Sequence, residues 1–108
     1  MTKIGLAKIW SMTLGSKLKE LREKHQLSQR QVGAALEVDA AFISKVERHE
    51  KQINRSHLKK LSELLRVPEE ELQTLWLADK VYRVIEHEDL AYQALKVAEQ
   101  QIHYATKP

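Results

Sequence analysis

Nowhere in this chain do β-branched and polar residues alternate as a half-buried strand requires, and only three glycines and two prolines interrupt its 108 residues. The core must therefore come from helices, which makes the expected fold class all-α. Leu14, Leu18 and Leu21 stand at helical spacing behind Thr13, a good N-cap, and predict a first helix over about residues 14–25. A second follows Ser28 and reaches about residue 36. A third follows Asp39, turns Ile43 and Val46 inward and ends near His49, so that only Glu37, Val38 and Asp39 separate it from the second. The fourth is expected behind Ser56 with Leu58, Leu61, Leu64 and Leu65. Pro68 then supplies a first-turn residue for a fifth, whose Glu69, Glu70 and Glu71 suit a helix N-terminus. That helix should reach about Ile85 and bury Leu72, Leu75 and Trp76. A sixth, from near Glu88, aligns Ala91, Ala94, Leu95, Ala98 and Ile102 in one stripe.

This length supports one core and is short for two ordinary domains. The absence of cysteine excludes disulfides, thiolate nucleophiles and zinc-thiolate sites, and fits a reducing, cytoplasmic location. No apolar run approaches the roughly 20 residues that a membrane-spanning helix needs, and residues 1–12 lack the apolar stretch and cleavage site of a signal peptide. His25, His49, His57, His87 and His103 show no compact metal-ligand spacing, and Gly5, Gly15 and Gly33 stand isolated, outside any phosphate-cradling loop. The expectation is a protein with no catalytic residues, no metal and no cofactor. The net charge of +3 is modest, but its distribution is not even. Residues 13–66 carry 12 Lys/Arg against 7 Asp/Glu, and residues 67–108 carry 4 against 8. A basic first half suits a polyanion, which leaves the acidic second half to support, pair or regulate.

Two short helices joined by three residues, the second capped by Asp39, have the spacing of a DNA-binding helix-turn-helix. The residues Leu21-Arg22, Leu27-Ser28-Gln29, Val32-Gly33, Val38 and Ile43-Ser44-Lys45-Val46-Glu47-Arg48 sharpen this. They resemble the Xre and lambdoid phage repressor family of helix-turn-helix regulators. The resemblance covers residues 14 to about 65 and extends through the leucines of the fourth helix and Val67-Pro68 to Trp76. The chain as a whole is similar to the small regulators of this family, including the controller proteins of restriction-modification systems. What this implies is a compact five-helix repressor-like domain over residues 13–76 with an additional C-terminal helix. It also implies a transcriptional regulator that reads double-stranded DNA through a recognition helix over residues 40–48.

The same resemblance puts the N-terminus of the second helix on the phosphate backbone. There Gln29 matches a phosphate-binding position, Ser28 caps the turn and Arg30 joins them as a DNA-binding candidate. The alternative for Ser28 and Gln29 is plain capping. Ala40, Ala41, Ser44 and Lys45 fall on the outward face of the recognition helix. Lys45 can donate to guanine O6 or N7, while the alanines offer only apolar contact such as a thymine methyl. Phe42 has two readings, core packing or contact with a thymine methyl or sugar. Arg22 and Glu47 match positions that pair across the first and third helices, a structural role. Arg48, His49, Lys51, Arg55 and His57 form a basic, loop-like stretch suited to following a duplex backbone. Two residues depart from the family pattern: His49 stands where glycine is common and Gly33 where alanine is common.

Residues 77–108 are expected to form a helical extension for dimerisation, with Trp76, Val81 and Ile85 as candidate contacts. The alternative folds the sixth helix back on the fifth within one chain. A homodimer with two-fold symmetry would set two recognition helices on successive major-groove turns, about 34 Å apart, and so read a short palindromic operator. The rival function is an antitoxin-like or anti-repressor-like module on the same fold, with a protein partner at the C-terminal helices. Residues 1–12 read either as an alternative start before Met12-Thr13 or as an appended leader whose Ile4, Ile9 and Trp10 suit a short amphipathic helix.

Overall fold

The structure, a computed structural model, describes residues 13–107. The leader helix considered for Ile4, Ile9 and Trp10 lies outside them. Over the described residues the chain is all helical: α1 (Leu14–Lys24), α2 (Gln29–Leu36), α3 (Ala40–Glu47), a 3₁₀ turn (Arg55–His57), α4 (Leu58–Leu65), α5 (Glu69–Ile85) and α6 (Ala91–Ala105). Each of the first three helices starts at a polar cap. Thr13 Oγ1 accepts from the Ser16 amide at 3.0 Å and Ser16 Oγ accepts from the Thr13 amide at 2.9 Å. Ser28 and Gln31 repeat this reciprocal box at 3.0 and 2.7 Å. Asp39 Oδ1 takes the Phe42 amide at 2.7 Å.

The later helix starts differ from the sequence expectation. Asn54, not Ser56, opens the fourth helical segment, because its Oδ1 accepts the Ser56 amide at 3.0 Å and winds residues 55–57 into a 3₁₀ turn before α4 begins. Pro68 sits in extended conformation just outside α5, which starts at Glu69. The sixth helix starts at Ala91, since residues 86–90 are spent in turns.

α1 to α4 end alike, although none ends in glycine. Gln26, Glu37, His49 and Arg66 are all left-handed, with φ between 57 and 64°. The amide one residue further on reaches back to a carbonyl five residues earlier: Leu27 to Arg22 at 3.0 Å, Val38 to Gly33 at 2.9 Å, Glu50 to Lys45 at 2.8 Å and Val67 to Ser62 at 3.1 Å. This is the Schellman closure, which satisfies the orphan carbonyls of a helix end and turns the chain sharply into the next element. Leu27, Val38 and Val67 then pack against the core, the apolar contact that usually accompanies the motif. At the end of α3 the equivalent residue is Glu50, and it is exposed.

The core joins α1 to α4 with the first half of α5. Leu18, Ile43, Leu58, Leu61, Leu65 and Leu72 are fully buried within it. α1 crosses close to the end of α3 at Gly15, where an added Cβ would stand 2.0 Å from the Val46 carbonyl oxygen. Trp76 closes the core. It is 8% exposed and donates its indole N–H to the Ile53 carbonyl at 2.7 Å. The sequence reading places Trp76 among the dimer contacts; burial within its own chain removes it from them. α5 then runs on past the core, and α6 buries none of its residues.

Candidate nucleic-acid interface

α2 and α3 form the helix-turn-helix. Their approach is closest at Gly33, where a Cβ would lie 2.6 Å from the Val38 carbonyl oxygen, so the departure from alanine is a matter of space. Ile43 and Val46 turn inward from α3 and anchor it. Its opposite side presents Ala41, Lys45 and Arg48 exposed, with Ala40 and Ser44 half-buried beside them. Phe42, with two readings open, packs half-buried against the core.

Glu47 organises the scaffold behind that face. Its carboxylate accepts Arg22 Nε at 2.6 Å on one oxygen, and Arg22 Nη2 at 3.1 Å and Gln29 Nε2 at 3.0 Å on the other. Arg22 spends a further N–H on the Leu27 carbonyl at 2.9 Å. The two charged side chains are only 12% and 3% exposed. The hydrogen bond to Glu47 pushes the Arg22 pKa up, against the opposing effect of burial. One carboxylate thus ties α1, the start of α2 and the end of α3 together through charge-assisted bonds. Gln29 is the residue the resemblance assigns to a phosphate. Its Glu47 bond holds the amide at the N-terminus of α2, where first-turn N–H groups have no partner within the helix. Ser28 and Arg30 are exposed at the same turn.

Beyond α3 the cations are fixed unequally. Arg48 donates through Nε to Glu50 Oε2 at 2.6 Å, through Nη2 to Glu50 Oε1 at 3.5 Å and through Nη1 to Ser44 Oγ. The Arg48 bond lowers the Glu50 pKa, and the Glu50 bond raises that of Arg48. The pair therefore stays ionised. Lys51 is exposed. Arg55 lies over the Trp76 ring, 5.3 Å from its centroid, with Lys80 at 4.5 Å on the same indole. His49 adopts the left-handed conformation at φ 64°, and Arg83 Nη2 lies 3.4 Å from its carbonyl oxygen.

Three residues that position this face gave no usable sequence signal. Gly15 reads as an isolated glycine until α3 is seen against it. Asp79, 8% exposed, accepts the Leu14 amide at 3.1 Å across 65 positions and so holds the first turn of α1. Glu50 looks like any surface acid in a charged loop. Val81 and Ile85, the remaining candidate dimer contacts, lie on α5 beyond the core, exposed and half-buried respectively. Among the described residues no cluster of His, Asp and Glu could hold a metal ion, and no helix is long and apolar enough to cross a membrane.

Searches of curated proteins and of solved structures return no match. A family model described as helix-turn-helix matches residues 18–72, from the middle of α1 into α5, and so covers half the chain, including the whole of α2, α3 and α4. With that span and the geometry above, the chain belongs to the Xre and lambda repressor type of helix-turn-helix proteins, a family of DNA-binding regulators.

Proposed function

We propose that the chain is a sequence-specific transcriptional regulator that binds a short, approximately palindromic operator as a homodimer, with α3 in the major groove and the start of α2 against the phosphates. The observation that carries this reading is the two-sidedness of α3. One side is fastened by Ile43, Val46 and the Glu47 bonds, while Ala41, Lys45 and Arg48 are exposed on the other. A rigid helix with small residues early and cations late can approach a groove closely at its N-terminal end and still reach base edges or phosphates further on. Selection from random duplexes should return paired half-sites, and a purely nonspecific isotherm with no enriched sequence would refute it.

In this proposal residues 13–76 form the reading domain and residues 77–108 the pairing extension. The dimer rests on the large apolar side chains that α5 and α6 leave in solvent, Leu77, Val81, Val84, Leu95 and Ile102 among them. The same exposure also favours the rival reading, in which the extension docks a protein partner and the domain acts as an antitoxin-like or anti-repressor-like module. Affinity for duplex DNA that falls steeply with salt separates the two, because release of counterions from neutralised phosphates marks a true DNA interface.

A further inference from the structure

We infer that Glu50 is a positioning residue that converts Arg48 from a phosphate contact into a reader of guanine at the end of the recognition helix. The inference rests on the proposed docking of α3 in the major groove. It starts from the departure among the four helix ends. Three of the Schellman closures put an apolar residue, Leu27, Val38 or Val67, onto the core, whereas the closure of α3 puts a carboxylate into solvent, where it grips the last residue of the reading face. Stability does not account for this choice. The two side chains are 56% and 53% exposed, and an exposed ion pair contributes little to folding.

Geometry and charge supply the account. Glu50 occupies the side-on edge of the guanidinium, Nε and Nη2, while Nη1 donates to Ser44 one turn back on the same face. Each Nη nitrogen carries two hydrogens and spends one on these partners, so one donor on each remains for a ligand. A guanidinium held by two neighbours loses less rotamer freedom on binding and presents a fixed fork, which matches the paired acceptors O6 and N7 of guanine. Meanwhile the carboxylate cancels the charge that would draw Arg48 to a phosphate. A neutralised arginine is a poor counterion replacement and a good hydrogen-bond donor to an uncharged base edge.

The test uses the operator selected by the intact chain, its single-base variants and a random duplex, each titrated at several salt concentrations. Arg48→Ala should lose about ten-fold or more at the preferred site and tolerate any base at one guanine position, leaving random-duplex affinity and the salt slope almost unchanged. Arg48→Lys, which has no fork, should not restore the preference. Glu50→Gln should act in opposite directions: weaker discrimination at that same guanine, tighter binding to random DNA and a salt slope steeper by about one, since Arg48 is no longer neutralised. Its effect on discrimination should vanish when Arg48 is already alanine. Thermal melts check that the exposed substitutions leave the fold intact. The inference is overturned if Arg48→Ala weakens all duplexes alike and flattens the salt slope, or if Glu50→Gln leaves base preference untouched. If the intact chain enriches no sequence at all, the regulator reading itself fails and takes this one with it.

Discussion

Residues 13–76 and 77–107 are built of the same kind of helix and end up in opposite states. Among the described residues, every buried large hydrophobic side chain lies at or before Trp76, and every large hydrophobic left exposed lies at or beyond Leu77. The boundary falls inside one continuous helix, α5, so secondary structure does not mark it. What marks it is partners. The first region folds its apolar stripes onto one another and needs nothing further, whereas the second carries stripes of equal quality that no part of the described chain covers. Their charges diverge as well, basic up to residue 66 and acidic after it. A polyanion and an apolar partner could therefore bind the same molecule without competing for surface.

The sharpest way to break this comparison is to cut the chain on either side of the boundary. Removal of everything after Pro68 takes away Leu72 and Trp76 and should abolish cooperative unfolding, as followed by circular dichroism. Removal of everything after Glu86 keeps both and should leave a helical, folded chain. That shorter chain should sediment as a monomer and bind the operator on the order of a hundred-fold more weakly, through loss of the second half-site. A folded monomer of the full chain at micromolar concentration and on DNA would remove the basis for calling the second region a pairing element.

Within the first region the largest expected effect is at Glu47. Its replacement by alanine strands Arg22, which is nearly buried, and frees Gln29, and should cost about 3 kcal/mol in chemical denaturation. Lys45→Ala should leave stability alone and cost about 1 to 3 kcal/mol at the preferred site, relaxing choice at one position. Arg55→Ala should instead weaken every duplex similarly and flatten the salt slope by about one. Gly15→Ala and Gly33→Ala reverse the ordinary propensity rule. Helix propensity alone favours alanine by about 1 kcal/mol, yet both new methyls meet backbone carbonyl oxygens, at 2.0 and 2.6 Å, so each should destabilise, by about 1 to 3 kcal/mol.

The smallest effect tests the buried contact by which the second region reaches back into the first, Asp79 on the Leu14 amide. Burial pushes the Asp79 pKa above its ordinary 3.8, while the Leu14 amide and the electrostatic influence of His49 and Arg83 oppose the rise. Since the folded value is the raised one, this contribution to stability is fully present below the unfolded pKa and is lost as pH climbs through the folded one. Asp79→Asn keeps an acceptor for Leu14 and removes the buried charge, so at neutral pH it should melt no lower than the parent and should lose that pH dependence. Asp79→Ala loses the cap and should cost about 1 kcal/mol. Equal melting of the two variants would show that the Leu14 bond contributes nothing.

The helices, their caps and the turn between α2 and α3 were legible because they depend on neighbours within a few positions. Thr13, Ser28 and Asp39 each cap an amide three residues on, and the leucine spacing that names a buried stripe is itself local. The fourth helix start was misread because Asn54 and Ser56 are both cap residues; the choice between them depends on how the loop leaves α3. Trp76 was misassigned for a related reason. An apolar residue at the right spacing announces that it will be buried, not against what, and the Ile53 carbonyl that takes its indole N–H lies 23 positions away.

Local sequence therefore determined an all-helical chain, the helix-turn-helix and the row of residues on its outer face. Only the tertiary structure decided that Glu50 grips Arg48, which glycines lie against a neighbouring backbone, that Asp79 closes the first turn of α1, and that the apolar surface of the extension stays uncovered. Spacing within a helix follows from a fixed 3.6-residue repeat and can be read from one segment. A contact between helices depends on their docking angle and depth, which are set by all the packed side chains at once.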